Sequence, residues 1–182
     1  MIGASSSTAS DPVTVLFHPS TVPVIDVFRS LGRLEDQYDL ALLDGPEQAL
    51  AAYTHPEAAK AIVSDALLLA FALTRQRGQP FSHRPLRSRH GSLDEYCLMA
   101  LIGSSRSSSS TELAFEAATA LGIQSLDFLS SLAGELIRQI DLGSLKFTAP
   151  TVEEFRAIAG DRRLFGGAID EASNASGFHF NS

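Results

Sequence analysis

The chain has 182 residues, enough for one domain with a real core and short for two. An apolar share of 45% excludes general disorder, and a net charge of −7 weighs against nucleic acid as the partner of the whole molecule. One cysteine, Cys97, excludes a disulfide framework within the chain; it lies in the apolar run DEYCLMAL, as a small core residue would.

Residues 1–12 are small and polar and read as a flexible arm. The segment lacks the basic start and apolar stretch of a signal peptide. VTVLF (13–17) is β-branched and apolar and predicts a buried strand, which HPSTVP then breaks. Ser20 or Thr21 is placed to cap a helix with Pro23 in its first turn. Val24, Val27, Phe28 and Leu31 repeat at three and four, and Gly32 marks the end. YDLALLD (38–44) predicts a second strand, closed by Gly45-Pro46. Residues 13–45 thus read as strand, helix, strand, with a right-handed crossover between parallel strands.

From 46 to 165 helix signals dominate. PEQALAAY opens a short helix. PEAAKAIVSDALLLAFALTRQRG (56–78) predicts a long one, with Glu57 in its first turn and Arg75, Arg77 and Gly78 at its end. Ala66 to Leu73 is apolar all round, so this helix is expected to be central and covered on most sides; it is far too short an apolar run to span a bilayer. Residues 79–92 hold two prolines and no periodicity and form the clearest loop. Ser92 and Glu95 have capping-box spacing and favour a helix through YCLMALIG, although 96–102 also suits a buried strand. Ser109 and Glu112 repeat the box before LAFEAATAL. Ser125 is placed to cap LDFLSSLAGELIRQI, whose stripe is Leu126, Leu129, Ala133, Leu136, Ile137 and Ile140. Thr151 and Glu154 make a third box. Residues 166–182 form a polar tail with Phe178 and Phe180 as partner-docking aromatics.

The expected fold is therefore an α-rich α/β (or α+β) domain over 13–165, a strand–helix–strand unit followed by a mostly helical body. The alternative is a flavodoxin-like or thioredoxin-like three-layer α/β fold.

The stretch Gly103-Ser-Ser-Arg-Ser-Ser-Ser-Ser110 sets one arginine among six serines. Backbone N–H groups at a helix start, with hydroxyls and an arginine, suit a phosphate. Read after a strand, it resembles the phosphate loop of NAD(P)H-dependent flavin reductases of the flavodoxin-like class, which implies FMN or a nucleotide on Ser105, Arg106 and Ser109. In that family the loop follows the first strand; here only about seventy residues remain and they read helical. A capped hinge between helices is the reading taken, with no cofactor. His18, Ser20 and Thr21 follow the first expected strand and are a second candidate for phosphate. That layout resembles the first loop of thioredoxin-like proteins, but STVP stands where two cysteines would, which removes that redox chemistry. The histidines are scattered, with no metal-site spacing.

From Arg75 to His90 there are five arginines, two histidines and no acid. Arginine suits bidentate contact with carboxylate or phosphate. Arg75, Arg77, His83, Arg84, Arg87, Arg89 and His90 are therefore the candidate anion or partner site. No catalytic set converges. The expectation is a cytoplasmic, non-catalytic interaction or assembly subunit that contacts an acidic or phosphorylated protein partner, or a second copy of itself. Nucleic acid is the less favoured partner, and no membrane association is expected. A small enzyme or binding protein for a phosphorylated or flavin/nucleotide ligand is the alternative.

Overall fold

A computed structural model describes residues 15–37 and 39–160. Among them are seven α-helices: α1 (Val22–Gln37), α2 (Asp44–Ala51), α3 (Pro56–Gln76), α4 (Leu93–Ser104), α5 (Thr111–Ala120), α6 (Asp127–Leu142) and α7 (Val152–Gly160). Helix α3 packs on α1, α2 and α6, and α4 packs on α5, α6 and α7. One hydrophobic core runs through all seven helices.

No sheet forms among the described residues, so the strand–helix–strand unit and the three-layer α/β alternative are both wrong. Of the expected first strand, Leu16 makes a lone antiparallel bridge to His90. The second expected strand is a 3-10 turn, Leu40–Leu43, running directly into α2. Local chemistry explains this outcome. The Asp39 carboxylate accepts the Ala41 N–H at 2.9 Å and starts the turn. Pro46 lies in the first turn of α2, where its missing N–H costs nothing, so it does not stop the chain from coiling. Helix α1 also runs on through Gly32 to Gln37; one glycine costs a helix only about 1 kcal/mol.

The covered helix is α4, not α3. From Glu95 to Ser104 every residue of α4 except Met99 is buried. Helix α3 instead leaves Leu68 53% and Phe71 41% exposed, and they form an apolar groove with Phe128 and Leu132 of α6. The apolar run 66–73 therefore marks a helix with one face outside. Gly103 lets α4 approach the 143–151 connector, since a Cβ there would overlap Ala149.

The helix caps divide. Ser92 Oγ accepts the Glu95 N–H at 3.1 Å and Glu95 Oε2 accepts the Ser92 N–H at 3.0 Å, so that box closes. Thr151 and Glu154 close theirs at 2.8 and 3.1 Å. The Ser109 box does not form: Ser107 caps a 3-10 turn at Ser109 N, and α5 starts afterwards at Thr111. Ser125 does not cap α6, which begins after Leu126 without a side-chain cap. Residues 1–12 and the tail 166–182, with Phe178 and Phe180, lie outside the described residues. No described helix is long and apolar enough to cross a membrane.

Candidate functional site

The 77–92 loop is fastened to a buried charge network that its own composition does not announce. Asp26 and Arg29 stand one turn apart on α1, and Glu95 stands in the first turn of α4. The side chains of Arg29 and Glu95 are 1% and 0% exposed. Arg29 Nε and Nη2 grip the two Glu95 oxygens at 2.7 and 2.9 Å, and Nη1 donates to Asp26 Oδ1 at 3.0 Å. The remaining donors reach the Ser88 carbonyl at 2.9 Å and the His90 carbonyl at 3.2 Å. All five guanidinium donors are thereby used.

The carboxylates reach back to the loop. Glu95 Oε1 accepts the Arg84 N–H at 3.0 Å. Both Asp26 oxygens accept the Arg87 N–H, each at 3.1 Å. Burial raises the Asp26 pKa more than the Arg87 N–H and Arg29 lower it. For Arg29, burial opposes the charge, but Glu95 and Asp26 together lift its pKa above the ordinary value. From the other side, Phe17 N donates to Arg89 O at 2.8 Å and Gly91 N to Val15 O at 3.0 Å.

Across this frame the seven candidate residues separate into three groups. Arg75 lies away from the rest, beside the apolar α3–α6 groove. Arg87, Arg89 and His90 are exposed. Arg87 has φ 65°, a left-handed backbone that a side chain makes unfavourable by roughly 1–2 kcal/mol. Arg89 Nε donates to Phe17 O at 3.1 Å. Arg77, His83 and Arg84 line a cleft of about 750 Å³, with Leu93 and Asp94 at the start of α4 and Thr119–Gly122 at the end of α5. The Arg77 side chain is 8% exposed; Nη2 pairs with Asp94 at 3.0 Å, and the guanidinium carbon lies 4.7 Å from the Phe81 ring centroid. His83 stacks on the same ring at 5.0 Å, and burial holds its imidazole below the ordinary value.

Three of the candidate phosphate residues, Ser20, Thr21 and Arg106, meet at the 146–147 connector, while Ser105 and Ser109 bond locally. Ser20 Oγ and Thr21 Oγ1 donate to Lys146 O at 3.0 and 3.3 Å, and His18 Nδ1 is 2.8 Å from Ser20 Oγ. Arg106 holds Asp141 with two bonds, at 2.9 and 2.7 Å, and donates to Phe147 O at 3.1 Å. Ser105 Oγ donates to Leu101 O, and Ser109 N donates to Ser107 Oγ. Ser20 and Thr21 thus tie the start of α1 to Lys146, and Arg106 ties the end of α4 to Phe147 and to Asp141 of α6. Among the described residues no cluster of three or more His, Cys, Asp or Glu could hold a metal. Burial pushes the Cys97 thiol up to about 12, which leaves no thiolate at neutral pH.

Sequence reasoning missed Asp26 and Arg29 and saw Glu95 only as a cap. The visible signal was an acid and a base three apart inside the apolar run of α1. No family model, curated protein or solved structure matches the chain.

Proposed function

We propose that this chain is a non-catalytic interaction subunit that docks an acidic or phosphorylated protein partner on the outer side of the 77–92 loop, through Arg87, Arg89 and His90. One observation carries the reading. Arg87 is an exposed, charged residue kept in a left-handed backbone that glycine would adopt without cost. Its N–H is gripped by the buried Asp26 carboxylate, so the frame imposes the conformation. An arginine standing where glycine fits better is consistent with use of its side chain, and strained positions concentrate at functional sites. The anchored loop also loses little entropy on binding. Charge complementarity favours an acidic surface.

Of the groups suggested for a flavin or nucleotide, Arg106 is engaged with Asp141 and Phe147 O and Ser105 with Leu101 O, which favours the interaction reading over that alternative. The test replaces Arg87 and Arg89 with glutamine and compares the partners recovered from the native source at low and moderate salt. Recovery is expected to fall with salt and in the double variant, with an unchanged melting temperature. Light scattering of the same samples separates self-association from a foreign partner. An identical set of partners in every lane would overturn the reading.

A further inference from the structure

We infer that the outer face of α3 and α6 is a homodimer interface: two copies of the chain pair through it about a two-fold axis, α3 against α3 in opposite directions, with Leu68, Phe71 and Phe128 at the centre. The inference does not rest on the outer side of the 77–92 loop, because none of Arg87, Arg89 or His90 belongs to α3 or α6.

Two helices lying side by side in opposite directions build this face. At one end Gln76 Oε1 accepts the Ser125 N–H at 3.4 Å; at the other Gly143 lies against Ala58. Leu68, Phe71 and Phe128 stand out of the face, the last 60% exposed, and Ala72 and Leu132 complete the groove between them. Large apolar side chains gathered in one patch, rather than scattered singly, mark an interaction surface.

The charges at the two ends decide what meets it. Arg75 stands one turn beyond Phe71; it is exposed and pairs with no described carboxylate. At the opposite end Asp65 and Glu135 stand three residues from Leu68 and Leu132. Those two carboxylates share Arg138, and Lys60 lies more than a turn further out, so a negative excess flanks the apolar centre there. For Asp65, burial and the neighbouring Glu135 raise the pKa against the pull of Arg138. A patch with an apolar centre, one positive end and one negative end is its own complement. A two-fold rotation that reverses the helix direction stacks the apolar centres and brings each Arg75 to the Asp65 and Glu135 end of the other copy. An axis along the helices would instead set like end beside like end.

The apolar centre is small, so the dimer is weak. A dissociation constant of roughly 10–100 μM is expected, and in dilute solution the chain is monomeric. Sedimentation equilibrium of the purified full chain from about 1 to about 500 μM reads it. The molar mass is expected to rise from one chain towards two across that range. Leu68→Glu and Phe128→Glu put a charge into the apolar centre at exposed positions; each is expected to weaken the dimer roughly tenfold or more, with an unchanged melting temperature in dilute solution. Arg75→Glu and Glu135→Arg each bring like charges together and are expected to weaken it roughly tenfold. An equimolar mixture of these two variants is expected to recover the affinity of the unaltered chain, because the two reversals compensate each other across the mixed dimer. A chain that stays monomeric at the highest concentration, whether its own residues or a foreign protein occupies the face, would overturn the inference. So would undiminished pairing in Leu68→Glu and Phe128→Glu, or no recovery on mixing. The double variant at Arg87 and Arg89 is expected to dimerise normally, so the two proposals fail separately.

Discussion

Arg29 spends five donors on one buried site, and its removal would strand two carboxylates. Arg29→Met keeps the length and apolar stem but leaves Asp26 and Glu95 uncompensated. The expected loss is about 3–5 kcal/mol, read from the urea midpoint at neutral pH. Adding Glu95→Gln is expected to recover part of that loss, since one stranded charge is then neutral. A fully additive double variant would show that the pair is not coupled. At this scale the sequence was half legible. The capping role of Glu95 follows from its spacing to Ser92, and that box closes as expected. Its grip on Arg29 bridges 66 positions, and no local pattern encodes so distant a partner. A capping carboxylate has about four acceptor sites, of which the cap uses one; the rest are where a fold conceals such an anchor.

Helix α3 is less covered than hydropathy suggested, while α4 is buried as its apolar run implied. The all-round apolar stretch 66–73 predicted burial, yet Leu68 and Phe71 face solvent while Leu69, Ala70 and Leu73 carry the packing. Leu68→Ala is therefore expected to change stability by no more than about 0.5 kcal/mol, the range of ordinary surface changes. Leu101→Ala, at a position with 0% exposure on α4, is expected to cost about 2–5 kcal/mol through a cavity. Equal urea midpoints for the two variants would refute this assignment of inside and outside. The strand error has a similar origin. Short apolar runs such as VTVLF and LALL carry no period long enough to separate strand from helix or turn. What decided 40–46 was an aspartate side chain that starts the turn and a proline that sits in the first turn of α2 instead of closing a strand.

Over the whole molecule, a chain of net charge −7 gathers five arginines within sixteen residues, and the fold then deals them to different places. The cluster was legible as composition. Its division into an outer set, a cleft set and the distant Arg75 was not, because side-chain direction in a loop follows from tertiary anchors rather than from spacing. The expected assembly through charge is consequently concentrated on Arg87, Arg89 and His90, a smaller surface than the sequence suggested. Screening by salt remains the property that distinguishes such a surface from an apolar one.

The anchoring of the loop from below by Arg29 and from the side by residues 15–17 also governs how the chain meets a protease. A stretch rich in arginine is nominally ideal for trypsin. Here the bond after Arg84 precedes proline and resists cleavage. Those after Arg87 and Arg89 belong to backbone whose N–H and carbonyl groups are held by Asp26, Arg29 and Phe17. Cutting therefore waits on an opening of the network, and its rate reports the free energy of that opening. Limited digestion of the native protein is expected to spare 84–90, and Arg29→Met is expected to accelerate cleavage there by roughly a hundredfold or more, in proportion to the stability lost. Rapid cutting after Arg87 in the unaltered chain would show instead that the loop opens freely. If it holds, the buried arginine acts as a guard on peptide bonds it never touches through its own backbone.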